Sequence, residues 1–563
     1  MIRITLLLII LVLVTACGGG GSDNVINETP TASSANQNSN TNTQSSDSTS
    51  NSTPSPPSQG ITNAEAHRFL RQASFGPTLL TMAEVKETGY ATWIDNQLTL
   101  PWTSHLDYFD SLPEPEDNQQ GQEYRIDGWL SAAVTSDDQL RQRVAYALSQ
   151  IMVVSQHGGL FEHPDGLAYY YDLLVKNAFG NYRDLLEAVT LSPAMGVYLS
   201  MLGNEKPDSE RNIRPDENFA REAMQLFSIG LIQLNIDGSK KLDANGQSIP
   251  TYSQEVIEGF AHVYTGWTHG GSESFYNRSN NMRVQMQAFE ELHDKNQKLL
   301  LNNVILPSNQ SAEKDLQQAL DNISGHPNVP PFISRRLIQR LVTANPSPNY
   351  VERVANVFIN DGSGQRGNLG AVAKAILLDQ EAREPPNSEI AGKVTEPVIR
   401  LINLWRAFDA VSTSGRYQQN LNWHFGQGPL QAPSVFNFYS PDYSPPGELR
   451  DLSLVSPEMQ IINEASSAIA NNELLNSAFW RTSERINELD PETVYINIDP
   501  EIKLAEDSLL LTEAVGLKLL GGNISYNLKQ ETISMVEKWE EPQHRVSEAI
   551  HHILTSVEFA VLP

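Results

Sequence analysis

From Ala66 to the final residues, apolar side chains return every three to four positions with polar residues between them, the period of helices that bury one face. Thr62-Asn63-Ala64-Glu65 sets a hydroxyl three residues ahead of a carboxylate, the pattern of a capping box, and predicts a helix over 66–73 that stops before Gly76-Pro77. Leu140, Val144, Ala147, Leu148 and Ile151 share one face of a second predicted helix, 138–154. The same period predicts helices over 167–178, 182–190, 217–228, 254–264, 312–323, 331–342, 350–360, 369–378, 396–411 and 457–472. Between 231 and 252 the period changes to two. There Ile232, Leu234, Ile236, Leu242 and Ile249 alternate with polar neighbours around Asp237-Gly238 and Asn245-Gly246, dipeptides suited to tight hairpins. The expected fold class is all-α: a large multi-helical body over 61–563 with a small β-hairpin insertion at 231–252.

The first sixty residues lack that period. Met1-Ile2-Arg3 and an apolar run too short to span a bilayer lead to Val14-Thr15-Ala16-Cys17, which resembles the lipobox of bacterial lipoproteins. The resemblance implies that 1–16 is a signal peptide and that Cys17 carries acyl chains such as palmitate, enough to hold a protein to a membrane. Gly18, where Asp is absent, points in a Gram-negative host to the outer membrane, with a periplasmic or surface-facing body. Residues 17–60, rich in Gly, Ser, Asn and Thr, have too few apolar groups to offset their ordering entropy and are expected to form a disordered tether spanning about 35 Å. Cys17 is the one cysteine, so the chain makes no internal disulfide.

Charge narrows the partners. Lys and Arg number 39 against 67 Asp and Glu, a net charge of -28. That field repels phosphate backbones, which argues against nucleic acid.

The most suggestive chemistry lies after Arg214-Pro215-Asp216. On the predicted helix Asn218, Arg221, Glu222 and Gln225 fall on one face at i, i+3, i+4 and i+7, with Glu217 beside them. As a catalytic face it would use Glu222 as acid/base and Arg221 as its charge-stabilising neighbour; a solvated face with one Glu–Arg pair fits the same spacing. His293, Asp294 and His326 could converge with Glu217 and Glu222 on a metal, or serve as capping and core residues. Trp423, Phe436, Tyr439 and Tyr443, interleaved with proline, could line a polymer cleft or wrap the core. Gly362-Ser363-Gly364-Gln365-Arg366-Gly367 spells a dinucleotide fingerprint, yet a helix precedes it, so a loop is expected.

Several segments together are recognisable: 66–78, Glu217-Asn218-Phe219-Ala220-Arg221-Glu222, Tyr264-Thr265-Gly266-Trp267-Thr268, His293-Asp294, His326-Pro327-Asn328, 331–337, 371–379, 433–439 and 553–559. In this order they resemble the bacterial family known as domain of unknown function 1800 (DUF1800). The resemblance implies a secreted, mostly helical protein and hints at a secreted alkaline-phosphatase-like partner. Phe227 stands where many relatives carry His, which weakens any metal site using that position. Two functions remain open: a scaffold or binding component of a cell-surface assembly, or an envelope hydrolase or metal-dependent oxidase acting on an extracellular polymer. No cofactor is specified by these residues.

Overall fold

The capping box opens the body as expected. In the computed structural model, which describes residues 60–384 and 392–563, Thr62 Oγ1 accepts from the Glu65 amide at 3.2 Å and the Glu65 carboxylate accepts from the Thr62 amide at 2.8 Å. The helix Asn63–Ala73 follows and buries Phe69, Leu70 and Ala73. The signal segment, Cys17 and all of the tether but Gly60 lie outside the described residues.

Helices dominate the described residues, which form a single contact unit around one continuous apolar core. Periodic segments fold where the pattern places them: Tyr182–Thr190, Gln254–Val263, Ala312–Ser324, Val329–Leu341, Pro348–Ile359 and Leu369–Leu378. Val329–Leu341, Pro348–Ile359 and Leu369–Leu378 pack in succession, and Asn118–Thr135 packs against Pro164–Asn177 and Pro397–Ala407. Residues 457–472, expected as one helix, divide into a 3₁₀ turn Pro457–Gln460 and a helix Glu464–Phe479, because Asn463 takes an extended backbone and caps the second piece through Ser466.

The insertion at 231–252 forms two successive hairpins held by isolated bridges: Ile232 with Pro250, Leu234 with Lys240, and Leu242 with Ser248. Gly238 and Gly246 supply the left-handed turn positions, with φ of 78° and 77°. The two-residue antiparallel pairs lie elsewhere: 267–268 with 287–288, 298–299 with 305–306, and 393–394 with 561–562. Two residues are too short to show alternation, which is why the sequence pattern passes over them. No described helix is long and apolar enough to cross a membrane.

Candidate functional site

A cleft of about 410 Å³ opens beside the helix Asn118–Thr135. Its lining is dominated by amides: Gln119, Gln122, Gln156, Gln418, Gln419, Asn420 and Gln431, with Glu123, Arg481 and Glu492 at the polar margins. Buried ions hold the walls. Arg125 donates from Nε to Gln122 Oε1 at 2.8 Å, from Nη1 to Pro429 O at 2.9 Å and from Nη2 to Gln156 Oε1 at 2.7 Å; burial pulls its guanidinium down to about 9. Asp127, two residues on, accepts from the Tyr417 amide and from Arg416 Nε, both at 2.6 Å, and so ties the 416–420 turn to the helix. On the other side Glu473 accepts from Gln419 Nε2 at 2.7 Å and from Arg481 Nη1 at 2.5 Å.

From the cleft residue Gln431 the buried segment 427–430 leads back into the core. Gln431 is only 7% exposed, and its Oε1 has no hydrogen-bond partner among the described residues. Leu430 sits at φ 53°, a left-handed conformation costly for a side chain of its size. Behind it, Glu396 Oε1 receives Gln150 Nε2 at 2.8 Å, Gln427 Nε2 at 2.7 Å, Tyr146 OH at 3.2 Å and Tyr439 OH at 2.8 Å. Lys393 pairs with Glu458 at 3.0 Å, and the Arg340 guanidinium lies 4.5 Å from the Tyr439 ring centre. Burial would raise the Glu396 carboxyl, but Lys393, Arg143 and Arg340 outweigh it and hold the group below its ordinary range.

The polar face of Asn218–Gln225 is split by the fold. Asn218 is exposed, and Glu217 and Arg221 form a half-exposed pair at 2.9 Å in which Glu217 also accepts from Gln254. Glu222 turns inward, 6% exposed, with Oε2 unpartnered among the described residues. Burial raises its carboxyl, with Arg221 opposing. The Tyr252 hydroxyl is likewise buried and unpartnered, and is pushed up to about 12 by burial and by the Glu222 charge.

The metal expectation is not met by the arrangement of side chains. His293 is enclosed, its ring nitrogens 3.0 Å from Thr265 O and 3.1 Å from Asp315, which Lys298 neutralises at 2.6 Å. Asp294 pairs instead with His262. Burial works to raise that carboxyl, but the bond from His262 and the Asn296 amide bring it down to about 2. His326 Nδ1 accepts from the Asn328 amide at 3.1 Å at the start of another helix. Each group is taken by a nearer partner, and among the described residues no three His, Cys, Asp or Glu side chains are grouped to hold a metal ion. Phe227 is fully buried.

The aromatic loop also divides. Trp423 and Phe436 are 69% and 59% exposed and Tyr443 is half-buried, whereas Tyr439, at 1%, belongs to the Glu396 network and has no face free for stacking. The cleft residues themselves escaped the sequence reading. Their only trace was the glutamine doublets Gln119-Gln120 and Gln418-Gln419, which carry no periodic signal.

Fold and site together define a helical protein with a polar, amide-lined cleft backed by a buried ionic network. The chain belongs to the family described as Protein of unknown function (DUF1800), whose profile matches residues 68–561. Compared with curated proteins and with solved structures, it has no significant match to either.

Proposed function

We propose that this protein is a binding component of a cell-surface assembly, held at the outer membrane by acyl chains on Cys17 and acting through the amide-lined cleft. The observation that carries this is the lining itself. Amides both donate and accept, and they keep one charge state at every physiological pH, which suits recognition. The chain's net charge of -28, most of it carried after the tether, keeps the body off anionic surfaces while the anchor holds it near one. The partner suggested by the family resemblance is a secreted alkaline-phosphatase-like protein.

Two measurements test the proposal. Labelled palmitate should enter the wild-type chain and not Cys17→Ser; equal labelling removes the anchor. In pull-downs from intact envelopes, the full-length chain should retain a stoichiometric partner that a Gln119→Leu, Gln418→Leu double variant of unchanged Tm loses. Equal recovery by both, or none by either, refutes the binding role.

A second reading, an envelope hydrolase acting on a polymer, is favoured by one observation: Glu222 is a buried, unpartnered carboxyl with a raised pKa, the condition a general acid needs. Glu222→Gln should then abolish turnover and leave Tm in place. A change in Tm alone ends that reading.

A further inference from the structure

We infer that the cleft is a subsite for an uncharged, hydroxyl-rich chain, a neutral glycan. This rests on the proposed binding role and names its ligand class. A volume of about 410 Å³ falls inside the roughly 300–1,000 Å³ of small-ligand pockets. Two of the three charges at its margin are already engaged: Arg481 with Glu473 at 2.5 Å, and Glu492 with Arg416 at 3.6 Å. The third, Glu123, accepts from Gln119 Nε2 at 2.8 Å and has no cationic partner among the described residues. An anionic ligand would have to break the Arg481 pair and would meet the Glu123 carboxylate; a cationic one is an arm of the test below.

Hydroxyl groups fit what remains. Because Arg125 holds the oxygen of Gln156, the NH₂ end of that amide is left as a donor, with no partner among the described residues. Gln431 supplies the complement, a buried oxygen without a donor. Leaving such an acceptor bare is unfavourable; the oxygen is packed against Gly428, and a turn of the Gln431 amide toward the cleft it lines would bring it to a ligand hydroxyl. A sugar hydroxyl can accept from the first amide and donate to the second. The cleft residue Asn420 caps the short helix Leu421–Phe425, which carries the exposed Trp423 outside the lining itself; a chain long enough to leave the cleft over that helix would meet its flat indole face.

Gly428 makes a sharp test possible. A Cβ there would lie 2.0 Å from Gln431 Oε1, the movable end of a side chain, so Gly428→Ala displaces the amide with little cost to the backbone. The full-length acylated chain in detergent is titrated calorimetrically with hexasaccharides of β-1,4-glucose, β-1,3-glucose, α-1,4-glucose and N-acetylglucosamine. Galacturonate and glucosamine oligomers and a hexa-alanine peptide serve as anionic, cationic and peptide arms. At least one neutral glycan should bind, with affinity unchanged by raising salt from about 0.05 to about 0.5 M. Gln431→Leu and Gly428→Ala, each of wild-type Tm, should weaken it about tenfold. The inference is overturned if no neutral glycan binds, if a charged or peptide probe binds better, or if both variants retain wild-type affinity. A cleft-dependent protein partner in the pull-down without glycan binding removes the glycan and leaves the binding role; failure of both removes both.

Discussion

Burial keeps His326 neutral in the fold, down to about 4, whereas an unfolded imidazole takes up a proton near about 6.5. Its depressed value contributes stability that is fully present above the unfolded value and is lost as pH falls toward the folded one. His326→Gln should therefore flatten the fall of Tm between about pH 6.5 and 4, measured by thermal melts across that window. Asp294 acts lower: its contribution is present above about 3.9 and disappears as pH drops toward 2, so Asp294→Asn should remove that acid dependence. Glu396 makes the largest demand, since Glu396→Ala removes the carboxylate that Lys393, Arg143 and Arg340 share and leaves Glu458, paired with Lys393, as the remaining counter-charge. Denaturant unfolding should show a loss of about 3–5 kcal/mol. Residue types revealed candidates such as Glu222, but not which neighbour would claim each one. His293 and Asp294 are adjacent in sequence and bond to different partners, Asp315 and His262.

Helices were legible where one face is apolar and the other wet. Asn118–Thr135, eighteen residues long, was not, because Gln122, Arg125 and Asp127 are buried on it and break the apolar period. Gln122 lines the cleft and Arg125 and Asp127 tether the segments around it, so the feature that hid the helix is the one that gives it chemistry. Close packing between elements leaves an equally local mark. Gly259 lies on Gln254–Val263, where a Cβ would stand 1.9 Å from the backbone oxygen of Leu299. Unlike the Gly428 contact, this one involves main chain, which cannot swing aside. Gly259→Ala should separate that helix from the 298–299 strand and cost about 1–3 kcal/mol or more by denaturant titration.

Across the whole body, the two ends of the described chain are clasped together. Arg71, on the first helix, donates from Nη2 to Phe559 O at 2.9 Å and to Thr395 Oγ1 at 2.7 Å, while 561–562 pair with 393–394 beside Glu396. Removing residues 557–563 should thus cost at least about 3 kcal/mol through the buried Phe559 and the stranded guanidinium, seen as a lowered Tm. The sequence by itself determined the helical class, the helices named between 66 and 472, the two hairpin turns and the family likeness, because periodicity, caps and turn residues act over a few neighbours; it passed over others, among them Leu79–Thr88, Tyr90–Thr99, Ser508–Leu520, Tyr526–Val536 and Pro542–Leu554. The tertiary structure alone decided that glutamines from 119 to 431 meet in one cleft, that Tyr439 turns inward, and that the histidines stay apart. The cleft depends on contacts between residues hundreds of positions distant, and the tyrosine and most of the histidines on partners tens of positions away; burial assigns each polar group its partner and no local pattern records the choice.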